Sequence, residues 1–378
     1  MVDLVRRIAV LIAAGLLVSC SGVPSSTPST AATGLTSLSA VTSAAPVASI
    51  EDRLAAGMDK LLTRRAQYPQ LIRTVEISVG GTTLFEYRRR GLAADETANL
   101  WSVTKSVMSA LIGIAIGEHL ISGVDATLSE LLPQYAGVMT PEVRGITLQN
   151  VLTMTGGFTD ITDEVLLSGD WVRAILTTPQ AKRGAAFRYS DASAHLLSAI
   201  VSTASGMPTA EYAQRKLLSP LGITTQPITA PSVNGTFDQF MAVYNSIPGV
   251  IWPVDPQGYA AGFVWLKLTP GHLMRFGRLY MAGGVWQGAQ IVPADWVAES
   301  TRSHVDHAGP QLGYGYLWWT FAVRGHPAFV AAGRAGQLVE VIPELNAVLV
   351  TSSDDADNPI DVSALLDHVN LDFVPELE

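Results

Sequence analysis

Alternating apolar and polar residues mark the first strands of the chain. From Thr74 to Tyr87 the alternation runs on both sides of Gly80-Gly81, which is the pattern of two antiparallel strands joined by a tight turn. A helix-like stretch from Ile50 to about Tyr68 precedes these strands. We therefore expect the folded part of the chain to begin near residue 50 with a helix and then a β-hairpin.

The longest apolar segment of this region, Val103 to Leu120, has hydrophobic residues on nearly every face of a helix. A helix of this kind is buried on all sides. Its length would allow a membrane span, but Lys105, Glu118 and His119 argue against one. We expect it to be a buried helix in a globular core.

The remaining pattern separates an α-rich middle from a strand-rich end. Between about 125 and 235, short helical pieces alternate with loops at proline and Gly-Gly positions. A final helix is expected at about 360–370. Strand-like runs precede it at Tyr314–Val323, Gly336–Ile342 and Ala347–Ser352. This order predicts an α+β fold, in which an antiparallel sheet is flanked by helices from both chain ends and an α-rich region is inserted at about 103–235.

The N-terminal residues differ from the domain predicted for 50–378. Arg6-Arg7 and the apolar run Ile8 to Val18 are typical of a leader that is too short to span a bilayer. The segment ending in Cys20, Leu-Val-Ser-Cys, resembles a bacterial lipobox. The resemblance implies removal of residues 1–19, lipidation of Cys20 and anchoring at the extracytoplasmic face of the cell membrane. An ordinary signal peptide with an incidental cysteine is the alternative interpretation.

Composition narrows the possibilities further. Residues 20–49 are rich in Ser, Thr, Ala and Pro and carry no charge, so we interpret them as a tether. The formal net charge of -9 disfavours nucleic acid as a partner. Cys20 is the only cysteine, which excludes an intrachain disulfide and a multi-cysteine metal site.

The strongest chemical signal is a serine and a lysine three residues apart, Ser102 and Lys105, at the start of the buried helix. Residues at this spacing share a helical face, and a buried lysine can accept the proton of a serine nucleophile. The first N–H groups of the helix would face a developing oxyanion. The alternative is an N-cap serine beside a lysine that reaches to solvent.

The chain resembles the serine β-lactamase and penicillin-binding-protein family, in particular the class C-like branch that includes esterases and 6-aminohexanoate-dimer hydrolase-like enzymes. The resemblance extends from about Ile50 to the C-terminus and implies a β-lactamase/transpeptidase-like fold. The matching segments, in chain order, are Ser102–Lys105, Val151–Phe158, Phe187–Asp191, Leu268–Pro270 with Gly283–Trp286, Tyr314–Trp319 and Gly333–Gln337.

The resemblance also assigns roles to residues. Tyr189 would lie against Ser102 and Lys105 and relay a proton to the leaving group. The backbone N–H groups of Ser102 and Arg334, the latter just past Gly333, would form the oxyanion hole. No metal or cofactor is expected.

Two departures from the family pattern affect the expected activity. Asp191 stands where many members carry Asn, and its carboxylate would hold Lys105 protonated and pass the role of base to Tyr189. Ala331 replaces the lysine or histidine that binds a substrate carboxylate in many members. Arg334 is either a substitute cation or a solvated strand residue. These features favour ester or small-amide hydrolysis over efficient β-lactam hydrolysis.

Two further clusters carry ligand-type side chains. His304-Val305-Asp306-His307 lacks helical spacing and a third partner, so an exposed loop is favoured over a zinc site. The acidic stretch 354–357 lacks the pattern of a calcium loop, and a solvated turn is favoured.

The sequence thus predicts a lipid-anchored serine hydrolase that forms an acyl-enzyme on Ser102, with a small-molecule or peptidoglycan-like ester or amide as substrate. A catalytically weak wall-binding or scaffold lipoprotein is the alternative, motivated by Asp191 and Ala331.

Overall fold

The computed structural model describes residues 48–178, 186–223, 237–309 and 311–378. The leader predicted for 1–19, Cys20 and all but the end of the tether predicted for 20–49 lie outside the described residues. Among the described residues, the helices are too short or too polar to cross a membrane.

The described residues form fourteen α-helices and twelve strands. The helices α1 to α14 are Ile50–Arg64, Tyr68–Leu71, Val103–Gly117, Leu128–Leu131, Pro141–Arg144, Leu148–Leu152, Asp163–Leu167, Trp171–Thr177, Asp191–Ser205, Thr209–Ala213, Phe237–Ser246, Pro270–Met281, Ala294–Thr301 and Val362–Phe373. The strands β1 to β12 are Ile72–Val79, Thr82–Arg88, Ala98–Asn99, Lys267–Leu268, Val285–Trp286, Ala289–Gln290, Val305–Gly309, Leu312–Tyr314, Trp319–Val323, His326–Gly333, Gln337–Ile342 and Ala347–Ser353.

Eight of these strands form one sheet in the order β2-β1-β12-β11-β10-β9-β8-β7. All its ladders are antiparallel, and β1 from the start of the domain pairs with β12 from its end. The predicted fold class, an antiparallel sheet built from both chain ends with an α-rich region between them, is confirmed. The predicted hairpin is also present, with Gly80 and Gly81 at positive φ in its turn.

Helices cover both faces of the sheet, and successive residues of β11 face different helices. Val339 faces α12, where Gly277 allows close packing: a Cβ at Gly277 would lie 2.9 Å from Val339 and 2.5 Å from Val348. Glu340 points to the opposite face, toward Asn370 of α14. Helix α14 packs against α1 there, so the two ends of the domain close one face together.

The C-terminal strand pattern required two corrections. The run Tyr314–Val323, expected as one strand, is divided into β8 and β9 because Leu317 adopts φ +65° and turns the chain. The segment His304–His307, expected as an exposed loop, leads into the edge strand β7. His304 itself stacks on Tyr316 with ring centroids 4.0 Å apart, so aromatic packing holds the start of this strand.

The α-rich region is formed by helices α3 to α10. Helix α3 is the buried apolar helix expected from the sequence, and all its residues from Val103 to Ala115 are shielded from solvent. It packs between α9 and the strands β10 and β11. Its N-terminus therefore lies where the helical region meets the sheet.

Candidate active site

Ser102 occupies the N-cap of α3, at the end of a strained turn. The preceding residue, Trp101, has φ +48°, a conformation that costs energy for a bulky side chain. Two hydrogen bonds hold the turn: the N–H of Trp101 donates to Asn99 Oδ1 at 3.0 Å, and the N–H of Leu100 donates to Leu266 O at 2.9 Å. The serine hydroxyl is thereby fixed at the start of a buried helix.

Lys105 lies one turn along α3 and is 1% exposed. Its Nζ is 2.9 Å from Ser102 Oγ, 3.0 Å from the carbonyl oxygen of Phe263 and 2.6 Å from Asp191 Oδ1. Two of these contacts, to Ser102 Oγ and to the Phe263 carbonyl oxygen, are hydrogen bonds that Lys105 donates, and the contact with Asp191 is an ion pair. Lys105 thus connects Ser102 to a buried carboxylate, and the expectation that Asp191 holds Lys105 protonated stays a prediction.

Tyr189 completes this group from the segment before α9. Its ring centroid lies 4.9 Å from Lys105 Nζ, and the ring stacks on Trp319 with centroids 5.7 Å apart. Burial, and then the negative charge of Asp191, raise the pKa of Tyr189 well above the ordinary value, while a hydrogen bond with Ser102 acts in the opposite direction. The phenol is therefore held in its protonated form.

A second carboxylate, Asp160, lies beside Asp191 and was not identified from the sequence. Its Oδ1 accepts the N–H of Asp191 at 3.2 Å and the N–H of Ile161 at 3.0 Å. Burial, followed by the charge of Asp191, raises the pKa of Asp160 to about 6, although both N–H bonds and Lys105 oppose the shift. The one local signal was its position two residues after the family-like segment that ends at Phe158.

The N-cap of α9 positions Asp191 in the site. Ser190 is the N-cap: its Oγ accepts the N–H of Ser193 at 3.1 Å and donates to the carbonyl oxygen of Thr159 at 3.0 Å. The same serine thus begins the helix and fastens it to the loop that contains Asp160.

A buried clip fixes the segment that supplies the Phe263 carbonyl. His195, one turn after Asp191 on α9, has Nε2 3.1 Å from Asp255 Oδ2, and both side chains are inaccessible to solvent. Asp255 Oδ1 also accepts the N–H groups of Gln257 and Tyr259, each at 2.9 Å. These contacts bind residues 255–259 to α9, and Gly262 packs closely against the backbone of Ala194 on the same helix, so the Phe263 carbonyl is held against Lys105.

Strand β10 ends against the nucleophile turn. A Cβ at Gly333 would lie 2.3 Å from the carbonyl oxygen of Leu100 and 3.2 Å from Cβ of Trp101, so only glycine fits there. The next residue, Arg334, begins a 3-10 turn, the first N–H groups of which are not used inside the turn. The oxyanion hole expected at the N–H groups of Ser102 and Arg334 stays a prediction, and the contact between these two turns supports it.

The side chain of Arg334 is neither a free cation nor a solvated residue. Its guanidinium lies 5.6 Å from the ring centroid of Trp101, and its Nε donates to Asp355 at 3.0 Å. Ala331, two residues before Gly333, is buried and brings no charge. Residue 331 therefore supplies no cation, and the charge of Arg334 is already paired with Asp355.

The acidic stretch after β12 is occupied by ion pairs. Asp354 lies 2.9 Å from Arg73 and 2.6 Å from Arg89, while Asp355 binds Arg334. The stretch is an irregular segment with Asp355 and Asp357 exposed, as expected, and the ion pairs are an addition to that expectation. Across the described residues, groups of three or more His, Cys, Asp and Glu side chains arranged to hold a metal ion are not found.

Comparisons with known proteins show what the chain is similar to. Residues 74–368 match the family model described as Beta-lactamase. A 6-aminohexanoate-dimer hydrolase from Paenarthrobacter ureafaciens is 25% identical over 301 residues, which cover 72% of this chain and 70% of that protein.

Solved structures show the same fold. A putative 6-aminohexanoate-dimer hydrolase from Bacillus anthracis superposes with a TM-score of 0.66 at 18% identity, covering 83% of this chain and 82% of the other. EstCE1, described as a hydrolase with promiscuous acyltransferase activity, has a TM-score of 0.66 at 16% identity and covers 85% and 99% of the two chains.

Proposed function

Because the chain belongs to the beta-lactamase family, we propose that it is a serine hydrolase that cleaves an ester or amide through an acyl-enzyme on Ser102. The observation that carries the proposal is the 2.9 Å contact between Lys105 Nζ and Ser102 Oγ at the N-terminus of α3. A buried lysine in this position has a direct path to the serine proton.

The proposed reaction has two halves. Ser102 Oγ attacks the substrate carbonyl, and the N–H groups of Ser102 and Arg334 stabilise the oxyanion. Lys105 and Tyr189 carry the serine proton to the leaving group, which departs and leaves an acyl group on Ser102. A water molecule then attacks the acyl group, and the same side chains return a proton to Ser102.

The charges near Ser102 support esters and small amides as the substrate class. Ala331 brings no cation, and Arg334 is already paired with Asp355. A substrate carboxylate would therefore meet no unpaired cation from either residue. The similarity in sequence to a 6-aminohexanoate-dimer hydrolase supports a small amide as the substrate.

The test is intact-protein mass spectrometry after incubation with a fluorophosphonate, a penicillin and a p-nitrophenyl ester. We expect one fluorophosphonate adduct per chain, located on Ser102 and absent from Ser102→Ala, together with ester turnover. A lasting penicilloyl adduct would indicate a penicillin-binding peptidase instead. A folded sample that takes no label and hydrolyses no ester would contradict the proposal and favour a non-catalytic wall-binding or scaffold protein.

A lipid anchor at Cys20 is the second part of the proposal. It is supported by the basic residues, the short apolar run and the small residues that precede the cysteine. Cells that express the full chain should incorporate an alkyne-labelled palmitate into it, and Cys20→Ala should take up no label and leave the membrane fraction. Equal labelling of both forms would rule out this anchor.

A further inference from the structure

The serine proton needs an acceptor, and the two residues nearest to Ser102 are poorly suited to keep it. Lys105 already donates hydrogen bonds to Ser102 Oγ and to the Phe263 carbonyl oxygen, and it forms an ion pair with Asp191. Tyr189 has its pKa raised by burial and by Asp191, so its phenolate is disfavoured near neutral pH. The other groups nearby that can accept the serine proton are carboxylates.

Two carboxylates, those of Asp191 and Asp160, follow Lys105 in the chain of contacts. Asp191 Oδ1 is 2.6 Å from Lys105 Nζ, which in turn is 2.9 Å from Ser102 Oγ. Asp160 is tied to the same helix start, because its Oδ1 accepts the N–H of Asp191 at 3.2 Å. Lys105 therefore links the nucleophile to the Asp191 carboxylate, and the Asp160 carboxylate binds the backbone of Asp191.

We propose that Asp160 and Asp191 form one carboxylate pair that takes up the Ser102 proton through Lys105, with Asp160 as the positioning residue that makes the pair a better acceptor. This inference rests on the proposed serine hydrolase function. It assigns Asp160 a role in proton transfer that its neighbours in the sequence do not reveal.

The step balances without any further reagent. As the bond between Ser102 Oγ and the substrate carbonyl carbon forms, the Oγ proton moves to Lys105 Nζ, and Lys105 gives the proton facing Asp191 to that carboxylate. When the bond to the leaving group breaks, the proton returns through Lys105 to Tyr189, and the phenol gives its own proton to the leaving group. Each of the three side chains ends in its starting state.

The electrostatics of the site support a shared proton. The charged groups that act on Asp160 are Asp191 at the start of α9 and Lys105 on α3, and Tyr189 is affected by Asp160 in turn. Two neighbouring carboxylates resist being ionised together, so the pair binds a proton more readily than a lone carboxylate. Burial is the main cause that raises the pKa of Asp160 to about 6, and the charge of Asp191 adds to the shift.

The experiment is a pH profile of kcat/KM with p-nitrophenyl acetate, from about pH 4.5 to about 9. The p-nitrophenolate leaving group departs without a proton. The fall in kcat/KM at low pH, which we call the acid limb, therefore reports the pKa of the group that accepts the serine proton. Asp160→Asn keeps an oxygen that can accept the N–H groups of Asp191 and Ile161, and thermal unfolding checks that it folds. Glu164→Gln, which neutralises an exposed carboxylate four residues away, is the matched control.

We expect the wild type and Glu164→Gln to show an acid limb near pH 6. In Asp160→Asn the limb should move at least about one unit lower, and the plateau should fall roughly 3- to 10-fold because the remaining acceptor is weaker. An unchanged limb, or a uniform loss of rate at every pH, would overturn the inference.

Asp191→Asn provides a second, independent variant. Lys105 then loses its counter-charge and must itself accept the serine proton, so the limb should move above pH 6 rather than below it. A limb that stays near pH 6 in this variant would also overturn the inference. Fluorophosphonate labelling of the wild type separates the two hypotheses: labelled Ser102 with unshifted limbs rejects only the carboxylate pair, whereas no labelling rejects the hydrolase itself.

Discussion

The carboxylate of Asp191 lies 2.6 Å from Nζ of Lys105, in a site where the two side chains are 8% and 1% exposed. Water stabilises neither charge to a useful degree, so each depends on the other. Removing one partner of such a pair leaves an uncompensated buried charge, which is far more costly than removing both.

We therefore expect Lys105→Met to lower the free energy of unfolding by about 3–5 kcal/mol and to reduce ester hydrolysis at least ~10³-fold. The double variant Lys105→Met/Asp191→Asn should recover most of the stability but none of the activity. Urea denaturation and initial rates measure the two effects. A double variant no more stable than the single one would show that the pair is not coupled.

Replacing the Tyr189 phenol should have an effect that depends on the leaving group. Tyr189→Phe keeps the ring that stacks on Trp319 but removes the proton donor. We expect a loss of ~10²–10⁴-fold for amides and alkyl esters, the leaving groups of which need a proton, and a much smaller loss for p-nitrophenyl esters. Equal losses for both substrate types would exclude a role for Tyr189 as the donor.

The clip between His195 and Asp255 should control turnover from a distance. Asp255→Ala removes the acceptor for His195 and for two backbone N–H groups, so the Phe263 carbonyl can shift away from Lys105. We expect kcat to fall roughly 10- to 100-fold with little change in KM. Asp255→Asn keeps an acceptor oxygen and should restore much of the loss. If both variants raise KM instead, the clip shapes the substrate pocket.

Glu340 should make the protein less stable as the pH rises. Burial raises the pKa of this carboxyl to about 8 in the folded protein, from 4.5, and Asn370 offsets little of the effect. Between these pH values the folded state holds a proton that the unfolded chain releases, so the free energy of unfolding falls with rising pH and is constant above about 8.

Glu340→Gln should therefore match the wild type near pH 4.5 and exceed its stability by on the order of 3 kcal/mol at pH 8. Thermal or urea unfolding at both pH values measures the difference. A variant that is less stable than the wild type at pH 8 would mean that the ionised carboxylate has a partner in the folded state.

Local sequence patterns predicted most of the fold and part of the candidate site. The hairpin between Thr74 and Tyr87 and the buried helix after Ser102 follow from the alternation and continuity of apolar residues, which are local properties. The division of the run Tyr314–Val323 was not visible, because the left-handed conformation of Leu317 is imposed by tertiary packing on a residue that does not favour it.

Asp160 was not predicted from the sequence for a similar reason. Asp160 acts through contacts with Asp191, which follows 31 residues later in the chain. Nothing in the local sequence shows that the loop after Phe158 returns to the start of α9, and an aspartate in a loop usually faces solvent. By contrast, Ser102 and Lys105 could be identified because both belong to one helical turn.

The pairing of β1 with β12 has a consequence for how the chain must be made. The partners Val79 and Ala347 are separated by most of the domain, so their contact closes a very long loop. On a ribosome, the middle of the sheet cannot form until the last strand has emerged, and folding should be slow and late. A chain that stops before residue 347 would expose the edges of both β1 and β11 and should aggregate rather than fold.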